Sequence, residues 1–122
     1  MKYDEIELIE FFGVLPSEHD SEEKEFFGTT DFDYQQGRYH LSVSFSIHRD
    51  DFWLDLKDVE LEQSLLELRL ERVEEIRVRR DKPTSMAVLI VKVSSDAETG
   101  KDGPRQAVQV SLEPNIWIRI ND

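Results

Sequence analysis

The sequence contains no cysteine, and this absence excludes disulfide bonds, thiolate zinc sites and cysteine nucleophiles together. Histidine is scarce, at three residues, and no low-complexity tract interrupts the chain. No run of about 18 apolar residues is present, so no membrane-spanning helix is predicted. The first residues, Met1 to Glu5, lack the basic and then apolar order of a signal peptide, and we therefore expect a cytoplasmic protein.

The motifs of common catalytic and nucleotide-binding sites are also missing. The sequence has no glycine-rich phosphate loop, no Gly-x-Ser-x-Gly elbow and no His-Glu-x-x-His. His40 and His48 share a predicted strand face, but about 26 Å of extended chain separates them, which is too far to share one metal ion. We therefore expect no enzymatic activity, no metal site and no cofactor.

Basic residues are few relative to acidic ones. The 122 residues include 27 Asp and Glu against 15 Lys and Arg, which gives a formal charge of −12. Such a charge repels nucleic acids and anionic lipid surfaces, and it favours a basic protein partner. The length predicts a single domain over residues 1–122. We divide it into an acidic segment with a short helix at 1–33 and an antiparallel β core at 34–122.

The negative charge is concentrated near the N-terminus. Residues 1–33 hold eleven acidic and two basic side chains, a net charge of −9. The stretch from Arg77 to Lys82 is the one clearly basic segment. Two interpretations stay open: the acidic and basic segments pair within the fold, or the acidic segment is a docking surface for a cationic partner. Two interpretations also stay open for Arg77, Arg79 and Arg80: they form an anion-binding edge, or they are the charged side chains that protect an edge strand.

Most of the chain alternates between apolar and polar residues, which is the period of a β-strand with one buried face. Short turns connect the segments, so we expect antiparallel pairing. Residues 86–93 are nearly all apolar and β-branched, which predicts a central strand buried on both faces. The fold class is therefore mainly β, an antiparallel sandwich or strongly bent meander of about seven strands with one short N-terminal helix. The predicted strands lie at residues 38–48, 52–56, 66–70, 76–79, 86–93, 107–112 and 116–120.

Residues 59–72 fit two structures. Leu61, Leu65 and Leu68 form a possible helical stripe, and Glu, Leu and Arg are good helix formers. Leu66, Leu68 and Leu70 also alternate with charged residues. We favour a strand, because the alternation is strict and the neighbouring segments are strands.

The predicted helix covers residues 4–12, with Asp4 as its N-cap and Ile6, Ile9 and Phe12 on one face. Its end, Glu-Phe-Phe-Gly at residues 10–13, recurs at residues 25–28. Each copy is interpreted as an aromatic anchor followed by a glycine that permits a turn. The alternative is an aromatic patch left exposed for a partner.

The stretch Glu10-Phe11-Phe12-Gly13-Val14-Leu15-Pro16, followed by an acidic loop and alternating strands, resembles a group of short bacterial proteins of uncharacterised function. Some small acidic proteins of this style are interpreted as immunity proteins of toxin systems. The resemblance implies a protein-binding role and contributes no catalytic residues.

The function predicted from these features is non-catalytic binding of another protein, in the manner of an immunity protein whose acidic surface covers a basic partner. The first alternative is a structural domain that self-associates, including as a homodimer, through an exposed strand edge, with Trp53 and Trp117 on the faces opposite the apolar residues. The second is an enzyme or a small-ligand pocket between sheets. The predicted partner-binding residues are Glu18, Asp20, Glu22, Glu23, Glu25, Phe26 and Phe27.

Overall fold

A computed structural model describes residues 1–18, 29–81, 86–94 and 105–121. In these ranges the chain forms one helix and nine antiparallel strands, so the predicted mainly β class with a short N-terminal helix is confirmed. The chain divides into two compact units, one of residues 12–71 and one of residues 1–11 with 72–122. In each unit the strands follow one another in sequence order, as in a meander.

Helix α1 spans Glu5–Phe12. The Asp4 carboxylate accepts a hydrogen bond from the Glu7 backbone N–H at 3.2 Å, which confirms the predicted cap. The predicted apolar face is wrong: Ile6 is 69% exposed, and Leu8 is buried together with Phe11 and Phe12. The spacing of these three residues, i, i+3 and i+4, is that of one helical face.

Gly13 follows the helix with φ +71°, a conformation that residues with a side chain rarely adopt, and the helix ends there. The preceding Phe12 ring stacks on Phe32 with centroids 4.9 Å apart. The first Phe-Phe-Gly copy is therefore an aromatic anchor followed by a turn, as predicted. The second copy lies outside the described residues.

The unit of residues 12–71 contains a five-stranded sheet in the order β1-β2-β3-β4-β5. One face carries buried apolar side chains, including Phe32, Leu41, Val43 and Leu54. The two-residue turn at positions 37–38 joins β2 to β3. The strands are β1 (Ser17–Glu18), β2 (Thr30–Gln36), β3 (Tyr39–Ser46), β4 (Asp51–Asp58) and β5 (Gln63–Leu70).

Strand β5 resolves the ambiguous segment in favour of a strand. Its Leu66, Leu68 and Leu70 pair with the apolar residues of β4, and the charged residues between them face the other side. A bulge at Leu65 shifts the register beside Leu56 and Lys57. The periodicity of two therefore outweighs the helix propensity of Glu, Leu and Arg, because it allows one complete face to be buried.

The unit of residues 1–11 and 72–122 contains a four-stranded sheet in the order β6-β7-β8-β9. Residues 88–91 of β7 are all buried, so the prediction of a strand buried on both faces is confirmed. The N-terminal segment runs along the outer edge of β6, where Lys2 forms a parallel bridge with Glu75. The strands are β6 (Val73–Asp81), β7 (Met86–Val93), β8 (Arg105–Ser111) and β9 (Trp117–Ile120).

Candidate partner-binding surface

The predicted partner-binding residues lie almost entirely outside the described part of the chain. Glu18 belongs to β1 through its backbone, which pairs with Thr30, but its side chain is outside the description. The other six occupy residues 20–27. Their role as a docking surface therefore stays a prediction.

The described acidic surface is the side of the five-stranded sheet opposite its buried apolar residues, which we call the polar face. Three of its carboxylates lie in one line across the strands, because Asp33 pairs with Ser42, Ser42 with Asp55, and Asp55 with Glu67. We call Asp33, Asp55 and Glu67 the carboxylate row. Side chains directly opposite each other on neighbouring strands are close enough to interact, so the row concentrates negative charge.

Two of the three carboxylates are held by neighbouring side chains. Asp33 Oδ1 accepts a hydrogen bond from the Ser42 hydroxyl at 2.8 Å and lies 3.1 Å from His40 Nε2. Asp55 Oδ1 accepts a hydrogen bond from Ser64 at 2.6 Å. Glu67 makes no hydrogen bond or ion pair with any residue that the structure describes, so its carboxylate is available to a partner.

The contacts among Ser42, Asp33 and His40 do not form a catalytic triad. In a triad the imidazole lies between the hydroxyl and the carboxylate and accepts the hydroxyl proton. Here the carboxylate lies between the other two groups, and the hydroxyl donates to it. Ser42 is therefore not activated as a nucleophile, and the cluster stabilises the pairing of β2 with β3.

Beside the carboxylate row, Trp53 and Arg69 form a directly opposed pair on β4 and β5. The guanidinium carbon of Arg69 lies 5.6 Å from the centroid of the Trp53 ring, within cation–π range. Arg69 Nη2 also lies 3.0 Å from Asp51 Oδ2. Tryptophan and arginine are the residue types most enriched at the energetic centres of protein interfaces.

Asp51 differs from its predicted environment. The strands predicted at residues 38–48 and 52–56 leave Asp50 and Asp51 in the turn that connects them. The structure places Asp51 at the start of β4, where its side chain is 8% exposed and pairs with Arg69. Its carboxylate therefore positions the guanidinium over Trp53 instead of forming the turn.

An open depression of about 460 Å³ lies on the polar face. Its wall includes carboxylates, hydroxyls and an aromatic ring, so its chemistry suits a cationic or hydrogen-bonding group of a partner. Within the described ranges, no group of three or more His, Asp or Glu side chains is arranged to hold a metal ion. The lining residues are Ser42, Ser44, Trp53, Leu54, Asp55, Glu67, Leu68 and Arg69.

Asp58, at the far end of β4, stabilises the fold. Its Oδ2 lies 2.8 Å from Arg38 Nη2, and its Oδ1 accepts backbone hydrogen bonds from Glu60 and Leu61 at 3.1 and 3.2 Å. The hydrogen bond from Arg38 lowers the pKa of the Asp58 carboxyl below its ordinary value, although burial acts in the opposite direction. These contacts fix the turn between β4 and β5, and so determine which residues of β5 join the polar face.

The basic residues of β6 lie in the outer strand of the four-stranded sheet. Arg77 is half-exposed and lies 3.9 Å from Glu75, which also lies 3.8 Å from Lys92. The Glu7 carboxylate of α1 accepts a hydrogen bond from the Val78 backbone N–H. Acidic side chains of the first 11 residues and of β6 itself thus lie next to this basic strand. Charge on an edge strand also opposes edge-to-edge aggregation.

The carboxylate row is not apparent from the sequence, since its members lie up to 34 positions apart in the chain. The signal that would have found them is strand register. The turn at Gly37, with φ +59°, fixes which residues of β2 and β3 face each other. Extending the pairing from strand to strand then brings Asp33, Asp55 and Glu67 into line.

The fold defines an antiparallel, mainly β protein with a short N-terminal helix. No protein-family model matches the sequence, and a search of curated proteins finds no match. The structure is similar to a chain in the contact-dependent growth inhibition toxin–immunity protein complex from Klebsiella pneumoniae 342. The TM-score is 0.71 at 15% sequence identity, and the similarity covers 97% of this chain and 92% of that chain. In the described residues, no helix is long and apolar enough to span a membrane.

Proposed function

We propose that this chain is a non-catalytic, immunity-type inhibitor that binds a basic surface of a bacterial toxin protein and blocks it. The observation that carries the proposal is the similarity in fold to a chain of a toxin–immunity complex over nearly the full length of both chains. The sequence resemblance at the Phe-Phe-Gly stretch supports the same class of protein.

The net negative charge of this chain supports an inhibitory role. At −12 the protein repels nucleic acids, so activity on a nucleic acid substrate is disfavoured. The same charge accelerates encounter with a cationic protein and opposes binding to acidic ones. An inhibitor of a basic protein benefits from both effects.

The polar face supplies contacts of the kind that the proposal requires. Glu67 offers a carboxylate that no described residue pairs with, and Trp53 with Arg69 offers an aromatic and cationic pair. The acidic segment that contains Glu22 and Glu23 is the second candidate surface. Electrostatic attraction in either place sets the rate of association, and aromatic contacts limit dissociation.

The proposal is tested by co-expressing this chain with the polypeptide that the neighbouring gene encodes and by measuring growth. We expect the neighbour alone to arrest growth and co-expression to restore it. Direct binding between the purified proteins is then measured by calorimetry at increasing salt, and affinity should fall as salt screens the acidic surface. A toxic neighbour that neither binds this chain nor is neutralised by it would contradict the proposal.

Charge-reversal variants distinguish the two candidate surfaces. E22K/E23K changes the acidic segment, and E67K changes the polar face without removing a described contact. E113K is the control, because Glu113 is an exposed residue between β8 and β9, outside both candidate surfaces. The surface that contacts the partner is the one whose variant weakens binding and flattens its salt dependence more than the control does. Wild-type affinity in both variants would contradict docking through acidic side chains.

A further inference from the structure

The outer strands of the two sheets differ in whether other residues hydrogen-bond to their outer edges. At β6 the edge is covered, because Ile76 donates to the Lys2 carbonyl at 2.9 Å and Val78 donates to the Glu7 carboxylate. Strand β5, with eight residues, is the last in its sheet, and no backbone hydrogen bond among the described residues engages its outer edge. An uncovered strand of this length is a template for pairing with another strand.

The side chains of β5 leave apolar surface incompletely covered at this edge. Leu66, Leu68 and Leu70 continue the buried apolar face of β4, yet they are only half-buried. The strand contains no proline, and its bulge at Leu65 leaves residues 66–70 regular. A further strand beside β5 would complete the burial of this leucine row.

We propose that β5 pairs with β5 of a second copy of this chain, antiparallel and centred on Leu68. In this register Leu68 faces Leu68 of the second copy and Leu66 faces Leu70. On the polar face, Glu67 lies opposite Arg69 twice, once on each side of the two-fold axis. Strand β5 is therefore self-complementary in both shape and charge.

The charged residues that face each other across the two strands favour this register over the adjacent ones. Residues that face each other must lie on the same side of the sheet, so the centre can move only by whole residues along the strand. A centre at Glu67 would oppose two glutamates directly. A centre at Arg69 would oppose two arginines and would also place Glu67 against Glu71. Of these three adjacent registers, the one centred on Leu68 is the one that joins opposite charges, and like charges directly opposite are destabilising.

The five residues at the centre of this contact make a small interface, smaller than that of most stable complexes. We therefore expect a weak dimer that forms as concentration rises. The inference is independent of the proposed function, because it concerns the chain by itself. It is measured without any partner, so its failure would leave the proposed function unchanged.

Sedimentation equilibrium over a concentration series tests the proposal. The wild type should show a reversible monomer–dimer equilibrium. E67R replaces two attractive pairs with two repulsive ones and should weaken dimerisation by about tenfold or more. E10R makes the same change in net charge on α1 and should dimerise like the wild type. A monomeric wild type at every concentration, or equal weakening by E67R and E10R, would overturn the inference.

Cysteine cross-linking tests the register, and the cysteine-free sequence makes each product unambiguous. Directly opposed residues of antiparallel strands have Cα atoms about 4.5–5.5 Å apart, within the range of a disulfide. L68C should therefore form a disulfide dimer on oxidation. L66C alone should not, because two copies of residue 66 would lie about 13 Å apart. A mixture of L66C and L70C should cross-link, and preferential cross-linking of L66C with itself would refute this register.

Discussion

Phe32 offers a direct test of how the five-stranded sheet is held together. Its side chain is fully buried, at 0% exposure. Its ring centroid lies 4.9 Å from that of Phe12 and 6.5 Å from that of Phe45, with an interplanar angle of 18° in both pairs. Phe32 thus stacks between Phe12 and Phe45 in the interior of the unit of residues 12–71.

Replacing Phe32 by alanine should lower the free energy of unfolding by about 3–5 kcal/mol, from lost burial and the cavity that remains. The two aromatic pairs contribute about 0.5–1.5 kcal/mol each within that total. Phe32→Leu retains most of the volume and loses the ring contacts, so it should cost about 1–2 kcal/mol. Because whole domains have about 5–15 kcal/mol of stability, the alanine variant should be severely weakened.

Urea unfolding followed by tryptophan fluorescence measures this effect. In a W117F background, Trp53 is the remaining tryptophan, and it lies in the same unit as Phe32. Ile6→Ala is the control, because Ile6 is 69% exposed and the change should cost no more than about 0.5 kcal/mol. A loss below about 1 kcal/mol in F32A would refute the assignment of Phe32 to the core.

Three further predictions concern polar contacts. Glu7→Ala leaves the Val78 N–H without its acceptor and should lower the free energy of unfolding, measured in urea, by about 1–2 kcal/mol. Glu7→Gln should lower it less, because the amide oxygen still accepts the hydrogen bond. Arg69→Met leaves the Asp51 carboxylate unpaired and should cost about 1–3 kcal/mol, and adding D51N should recover part of that loss. Asp58 has a lowered pKa in the folded protein, so its contribution is complete above the unfolded pKa of about 3.9 and is lost as pH falls through the folded value. The difference in Tm between wild type and D58N should therefore shrink in acid, and a difference independent of pH would contradict this assignment.

The regular strands could be predicted from the sequence because their burial alternates. Residues 86–93 match β7 at both ends, and β3 and β4 differ from their predicted bounds by one or two residues. Asp4 was also identifiable as a cap, since it immediately precedes an apolar helical segment. In each case the local pattern and the tertiary environment favour the same structure.

Strand β2 could not be predicted in the same way. Its sequence is Thr-Asp-Phe-Asp-Tyr-Gln-Gln, and Phe32 is its one buried residue. It is a strand because it pairs with β3 over seven residues, and such pairing depends on a partner that no local window contains. The exposed Ile6 shows the converse, because an apolar residue at helical spacing does not identify which face of the helix is buried.

One part of the candidate site could be predicted from local alternation, and the other part depends on how the strands pair. That Trp53 lies opposite the apolar residues of β4 follows from alternation alone. Its contact with Arg69, and the alignment of Asp33, Asp55 and Glu67, depend on the register across four strands. Turn geometry and a bulge at Leu65 set that register, and a shift of one residue would move every one of these side chains to the other face.

As an immunity-type inhibitor, the function proposed for it, this chain would act by occupying a toxin protein and not by chemistry. The most direct test is to titrate the toxic activity of the neighbouring gene's product with purified chain. Stoichiometric inhibition predicts a linear fall in toxic activity that reaches zero at an equimolar ratio and does not change with incubation time. Inactivation by much smaller amounts that progresses with time would indicate catalysis, and undiminished activity at excess would show that the toxin is not its partner.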